Sequence, residues 1–446
     1  MESSLPKEIK DSLNASWKEG VITQVMIGIL DYYLTPFALF LNANTQQIGF
    51  LTAIPNLLSS VSQLFVMFGV KVLGSRLKLI KIGVGTQAVL LIPVALLALL
   101  PVPAKVPILI ALVAIYRILG SQIGPAWGSL VSDYLAPEQR GRYFGWRQRA
   151  VGLAGILGVS FWGLMLYLFK NMTSMAWSFA MLFSAAFIFR FISYRFIAQM
   201  HDLPMHHETT ASKISFLTFF ARFRESNFAK FIFYVTSMTF ATQLCAPFFS
   251  VHMLRDLHFS YLSYMAVNLA SVCASLIAWP IWGRHADVVG NAKVLKETGL
   301  LIPVIPILWM FATTPWQLVA VEFLSGLLFS GFTLSTTNFI YDSCSSSRRV
   351  FCLIYYNLLN GVSLFFAASL GGFLSSHLYP LLGYPLVTLF LISAILRLCS
   401  NLFLSRHFEE VRISHKKVSS LQLYLSVLGI DPIVGKGPDP SMESEP

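Results

Sequence analysis

A chain of 446 residues that is 55% hydrophobic and only 12% charged carries too little polar surface to be a string of soluble domains. Its positive mean hydropathy of +0.66 selects the membrane-embedded class. The +11 net charge is therefore read against a bilayer rather than a nucleic acid.

About 20 apolar residues, rising about 1.5 Å each, cross the hydrocarbon, and they must be helical because an open strand in lipid leaves backbone groups unpaired. The first 16 residues are polar and lack the apolar core and cleavage site of a signal peptide, and residues 1–19 precede the first span as a short terminal segment. Six spans follow at about 20–42, 46–70, 78–100, 106–134, 144–169 and 175–198, forming a first bundle over 20–198. A polar linker at 199–226 leads to a second bundle over 227–405, with spans at 227–252, 260–282, 294–313, 316–341, 352–378 and 385–405. The tail, 406–446, ends in Pro, Gly, Ser and acidic residues that suit disorder. The fold class expected is an all-α membrane protein with twelve transmembrane helices in two pseudo-symmetric six-helix bundles.

Of the 32 Lys and Arg, only Lys105, Lys170 and Arg255 fall on one side of the spans and Arg117, Arg190 and Arg397 fall within them. The rest lie on the side of the termini, so the N- and C-termini are expected in the cytoplasm of a multi-pass inner-membrane protein, against anionic headgroups. The two halves resemble each other: Pro36-Phe37 matches Pro247-Phe248, Asn56 matches Asn268, and Asp133 with Arg140 matches Asp342 with Arg349, at nearly constant offset. Parallel repeats about an axis along the membrane normal are implied.

Asp31 and Arg117 sit at matching depth in spans 1 and 4. A charge at bilayer depth costs about 2.5 to 3.5 kcal/mol and usually faces a partner or a water-filled cavity. Gln24, Gly28, Asp31 and Thr35 share one helix face, as do Arg117, Ser121, Gly124 and Gly128. Asp31 and Arg117 are either a coupling pair that substrate can switch between charged and protonated states or a static ion pair locking two helices. Secondary candidates for the cavity are Thr239, Gln243, Asn357 and Asn360, whose amides and hydroxyls could equally bond between helices, and Glu322, a second acid inside a span. Arg190 and Arg397 are expected to snorkel to the headgroups, and Trp127, Trp146 and Trp162 to anchor or pack.

Arg117-Ile-Leu-Gly120-Ser-Gln-Ile-Gly124-Pro125, followed by Asp133-Tyr-Leu-Ala-Pro137-Glu-Gln-Arg140-Gly141-Arg142, resembles the fourth-helix arginine motif and following loop of the major facilitator superfamily. Gly283-Arg-His-Ala-Asp287-Val-Val-Gly290 is similar to that superfamily's loop motif, and Gly69-Val-Lys71-Val-Leu73-Gly74-Ser-Arg76 is a departing first-half copy with Leu73 in the acidic place. The resemblance implies that helices one, four, seven and ten line a central cavity. It also implies conformational gating at Gly283, Asp287 and Gly290, and at Asp133, Arg140, Asp342 and Arg349. Asp287 could accept hydrogen bonds from an adjacent helix N-terminus and hold two helix ends together until a rocking motion parts them.

These features point to a secondary active transporter of a small solute, working as a monomer by alternating access with protons as the coupling ion. A drug or metabolite antiporter is the alternative in the same class, although the glycine run Gly152, Gly155, Gly158 lacks the proline of the antiporter signature and suits close helix packing. A transport-inactive receptor or scaffold is the alternative of another class. No enzyme is expected, since the chain has neither a GxxxxGK phosphate loop nor a nucleophile with an identifiable base. No cofactor, metal or disulfide is expected: the five cysteines form no CxxC, and His201, His206 and His207 fit no zinc spacing.

Overall fold

In lipid every backbone N–H and C=O must be paired within the chain, and this sequence does so with helices. In a computed structural model, residues 6–135, 137–172, 174–203, 226–344, 349–411, 418–427, 430 and 433 are described. Among them there is no β-strand, only an isolated bridge between Leu381 and Tyr384. Twelve helices are long and apolar enough to cross a membrane. Spans 1 to 6 are Lys7–Phe40, Thr45–Leu73, Arg76–Leu96, Lys105–Asp133, Tyr143–Phe169 and Met175–Ala198. Spans 7 to 12 are Asn227–Asp256, Tyr261–Val289, Asn291–Phe311, Pro315–Ser343, Cys352–Leu374 and Pro385–His407. Each expected span falls on one of these helices. Phe65, Met67, Phe68 and Val72 of span 2 are exposed large apolar side chains, a surface suited to acyl chains.

Span 1 begins at Lys7, well before its apolar stretch. Its leading turns carry Leu13 and Ala15, which pack with Leu77, Ile80, Tyr134 and Tyr143, so the segment before residue 20 is anchored by an apolar stripe that its charges conceal in the sequence. Span 2 starts with a capping box, in which Asn44 accepts from the Gln47 N–H at 2.8 Å and the Gln47 side chain accepts from the Asn44 N–H at 3.0 Å.

Packing groups the chain into two compact units. The first comprises Met1–Thr210, Thr242–Leu269 and Tyr356–Leu389; the second comprises Ala211–Ala241, Ala270–Tyr355 and Phe390–Pro446. The grouping by contact thus runs across the second half of the sequence. Inside the first unit, the ends of spans 1, 2 and 5 that lie away from the termini meet the corresponding ends of spans 7, 8 and 11. The Tyr264 hydroxyl donates to the Tyr32 carbonyl at 2.8 Å, and Arg255 donates to the Thr45 hydroxyl at 2.9 Å. Gly372 allows the close approach of spans 2 and 11, because a Cβ there would lie 3.1 Å from the Gln46 Cα.

The second unit has an aromatic centre. Phe231 stacks on Phe339 at 4.2 Å between centroids, and the Tyr234 hydroxyl donates to Asn401 at 2.7 Å. A short helix, Ser420–Val427, belongs to this unit, with Leu423 buried against Ala278, Trp282, Ala286 and Val289.

Candidate functional site

The face of span 1 that carries Asp31 also carries Glu19, Thr23 and Gln24, because side chains three, four and seven residues apart stack on one side of a helix. That face walls a cavity of about 500 Å³ in the first unit, to which spans 3, 4, 5 and 6 contribute Gln87, Arg117, Arg147 and Arg190. Such a volume suits a small organic solute.

Arg117 donates to Asp31 at 2.6 Å, with the two side chains 40% and 42% exposed. The expected pair is thus brought together on a cavity wall and is half open to it. Gln24, Ser121 and Gly124 line the same cavity, whereas Thr35 is not among its lining residues.

Deeper in the same cavity lies a charge cluster that the sequence reading missed. Glu19, 9% exposed, sits 3.4 Å from Arg147 and 3.8 Å from Arg190. Thr23 donates to it at 2.6 Å and Ser193 at 3.2 Å. Arg190 does not snorkel: its Nε donates to Gln87 Oε1 at 3.1 Å, its Nη2 also donates to that oxygen, and its Nη1 donates to Thr23 at 3.0 Å. Arg397 departs from the snorkelling expectation too, being 1% exposed, with Nε on the Ser393 hydroxyl at 3.1 Å. Both arginines stay inside because hydroxyls and carbonyls of neighbouring helices meet their N–H groups, which a side chain at the headgroups would exchange for water. Trp127, expected to anchor or pack, lines the cavity with the Arg147 guanidinium 4.1 Å above its ring.

The secondary candidates are placed as follows. Asn357 donates to Gln63 at 3.0 Å, and Asn360 donates to the Tyr356 carbonyl of its own helix at 3.1 Å. Thr239 and Gln243 are half-buried on span 7. Glu322 accepts from the Trp309 indole N–H at 3.0 Å within the second unit.

At the gating positions, Asp133 pairs with Arg76, 2.6 Å away and only 3% exposed, which also donates to Ser129 at 2.8 Å. Arg140 instead donates to the carbonyls of Ser132 and Leu135 at 3.0 and 3.3 Å, closing the end of span 4. Gly283 and Asp287 lie inside the helix Tyr261–Val289 rather than in a loop, and only Gly290, at φ +90°, breaks it. The helix N-terminus that follows is held by Glu410, which accepts from the Ala292 N–H at 2.7 Å. Asp342 accepts from Asn291 at 2.9 Å. The side chain of Arg349, like His206 and His207, lies outside the described residues.

Outside the spans, burial pushes the Tyr134 hydroxyl up to about 12, and the charge of Asp202 adds to that. Among the described residues no three His, Cys, Asp or Glu side chains are grouped to hold a metal.

A sequence model of the Major Facilitator Superfamily matches residues 231–434. No curated protein matches the chain by sequence. Among solved structures, a bacterial homologue of the human lysosomal transporter Spinster, in an inward-facing and unoccupied conformation, is 13% identical, with a TM-score of 0.63 over 92% of this chain and 100% of that one. The nucleoside transporter NupG is 15% identical, with a TM-score of 0.65 over 91% of this chain and 100% of that one. A bacterial homologue of the iron transporter ferroportin, inward-facing, is 13% identical, with a TM-score of 0.64 over 89% and 98% of the two chains. The family match lies in the second half of the chain, residues 231–434, and the solved structures share the fold over most of its length.

Proposed function

We propose that the chain is a secondary active transporter that moves a small solute by alternating access, with proton symport at the Asp31 and Arg117 pair as its coupling scheme. The observation that carries this reading is the 2.6 Å ion pair, half exposed, on the wall of a solute-sized cavity among the spans. Protonation of Asp31 would release the Arg117 guanidinium to the cavity, so proton occupancy and solute recognition can be linked through one contact. The end of the first unit away from the termini is closed by a few hydrogen bonds and a small-residue contact, a set that could part in a rocking motion.

Symport is preferred to antiport because the glycine run of span 5 is occupied with packing. A Cβ on Gly158 would lie 3.0 Å from the Val25 Cα, and one on Gly155 3.2 Å from Gln24. We propose the inner membrane as the location, with cytoplasmic termini, on the asymmetry of the basic residues. A cysteine at Lys105 should then react with an impermeant thiol reagent in sealed right-side-out vesicles, and one at Lys293 only after permeabilisation.

The functional test is uptake of a panel of labelled metabolites into proteoliposomes under an imposed inward proton gradient. Accumulation that collapses with a protonophore supports symport. Accumulation only when the gradient is reversed would select antiport, and none under either gradient would favour a receptor or scaffold.

A further inference from the structure

We propose that the solute of this cavity is a small organic monoanion, a carboxylate, seated on Arg147 beside Trp127. The inference rests on the transporter reading and adds the class of its substrate. Five charged side chains line the cavity: Arg117, Arg147 and Arg190 against Glu19 and Asp31. Asp31 neutralises Arg117 at 2.6 Å, so the single remaining carboxylate, Glu19, has to serve two guanidiniums. One positive charge is left over.

The bonding identifies where the excess lies. Arg190 is 5% exposed and engages Gln87, Thr23 and Ser193, so its donors are spent inside the bundle. Among the described residues Arg147 makes two hydrogen bonds, both long, from Nη2 to Glu19 and from Nε to the Ser16 carbonyl at 3.4 Å. A guanidinium offers five N–H donors in a planar fork matched to a carboxylate. Its partner in the wall supplies a second, independent sign of a missing acceptor: the Trp127 indole N–H is buried and has no hydrogen-bond partner among the described residues. Such a donor is left unsatisfied only at a cost, and an acceptor group arriving in the cavity would remove it.

The geometry of span 1 keeps Arg147 in this place. Its guanidinium packs directly on Gly20, where any Cβ would collide with it. The excess of one charge matches a monoanion rather than a dianion, and three guanidiniums around the space disfavour a cation. The amides of Gln24 and Gln148 line the cavity for the rest of the solute.

The test uses purified full-length protein and straight-chain and aromatic monocarboxylates of two to ten carbons, each paired with its neutral amide, with choline as the cation. Binding is read by calorimetry and transport in proteoliposomes. At least one carboxylate should bind at least about tenfold more tightly than its amide, since charge-assisted bonds are about twice as strong as neutral ones. Arg147→Gln should abolish that preference and Arg147→Lys should keep part of it. Trp127→Phe, which retains the ring and serves as the variant that folds, should weaken the carboxylate several-fold and its amide by less. Equal binding of acid and amide, or an undiminished preference in Arg147→Gln, overturns the proposal. Transport of amides or choline with no carboxylate transported overturns it while leaving the transporter reading intact. Transport of no metabolite under either gradient would remove that reading, and this one with it.

Discussion

Glu19 and Arg190 lie 3.8 Å apart between spans 1 and 6, and around this contact Thr23, Gln87, Ser193 and Arg147 are arranged. Glu19 holds two cations inside the bundle while its far side faces the cavity.

Removing the charge of Glu19 should therefore be costly. Glu19→Gln leaves two nearly buried guanidiniums without a counter-charge, and breaking a buried pair costs about 3 to 5 kcal/mol. A large fall in thermal unfolding temperature is expected, and the double change Glu19→Gln with Arg190→Gln should recover much of it. A single variant as stable as the parent would show that solvent in the cavity already screens the cluster.

Asp31 should behave in the opposite way. Its pair with Arg117 is about two-fifths exposed, so the loss of stability on Asp31→Asn should be at most about 1 kcal/mol. Gradient-driven accumulation should vanish while exchange without a gradient survives. If the variant instead folds poorly and Asp31→Asn with Arg117→Gln restores it, the pair is a static lock. Accumulation retained in a well-folded Asp31→Asn protein removes Asp31 as the proton carrier.

Arg76 is the buried partner that fixes Asp133, and it also donates to the Leu203 carbonyl at 3.2 Å, tying the start of span 3 to the end of span 4 and the chain after span 6. Arg76→Gln should alter the accessibility of cysteines placed in the cavity and the transport rate, with affinity changed by only a few-fold, because no cavity-lining residue is lost. Unchanged accessibility would mean that the contact is passive.

What the sequence revealed and concealed follows from the range of each interaction. The twelve spans are written in local hydropathy, and Asp31 with Arg117 in a contrast between a charge and its apolar neighbours. Glu19 was invisible because it precedes the apolar stretch and looks solvated there, and only its four-residue spacing to Thr23 marks the face it shares. Arg190 and Arg397 were misread because depth in a span suggested headgroups, while the residues that retain them, Gln87 and Thr23 in one case and Ser393 with the Ile302 carbonyl in the other, come largely from other helices. The same limit applies to Glu410, whose contact with the Ala292 N–H joins residues far apart in the chain.

The tail helix gives a pH-dependent prediction. Tyr424 donates to Glu297 Oε2 at 2.7 Å, Ser420 donates to Oε1 at 2.5 Å, and the His285 ring bonds the Ser426 hydroxyl at 2.8 Å. Burial, and then the neighbouring Glu297 carboxylate, raise the Tyr424 hydroxyl above its ordinary value of 10.0. A docked-state value above the undocked one means that docking is fully supported below pH 10 and is lost as the pH climbs toward the raised value. Hydrogen exchange over residues 420–427 should accordingly rise between pH 10 and 11 after correction for the intrinsic rate. Tyr424→Phe should exchange faster already at pH 7, by a few-fold, since a partly exposed hydrogen bond contributes about 1 kcal/mol. It should show no further opening in the alkaline range. Equal protection in the two proteins at pH 7 would mean that Leu423 and its apolar contacts hold the helix without the hydroxyl.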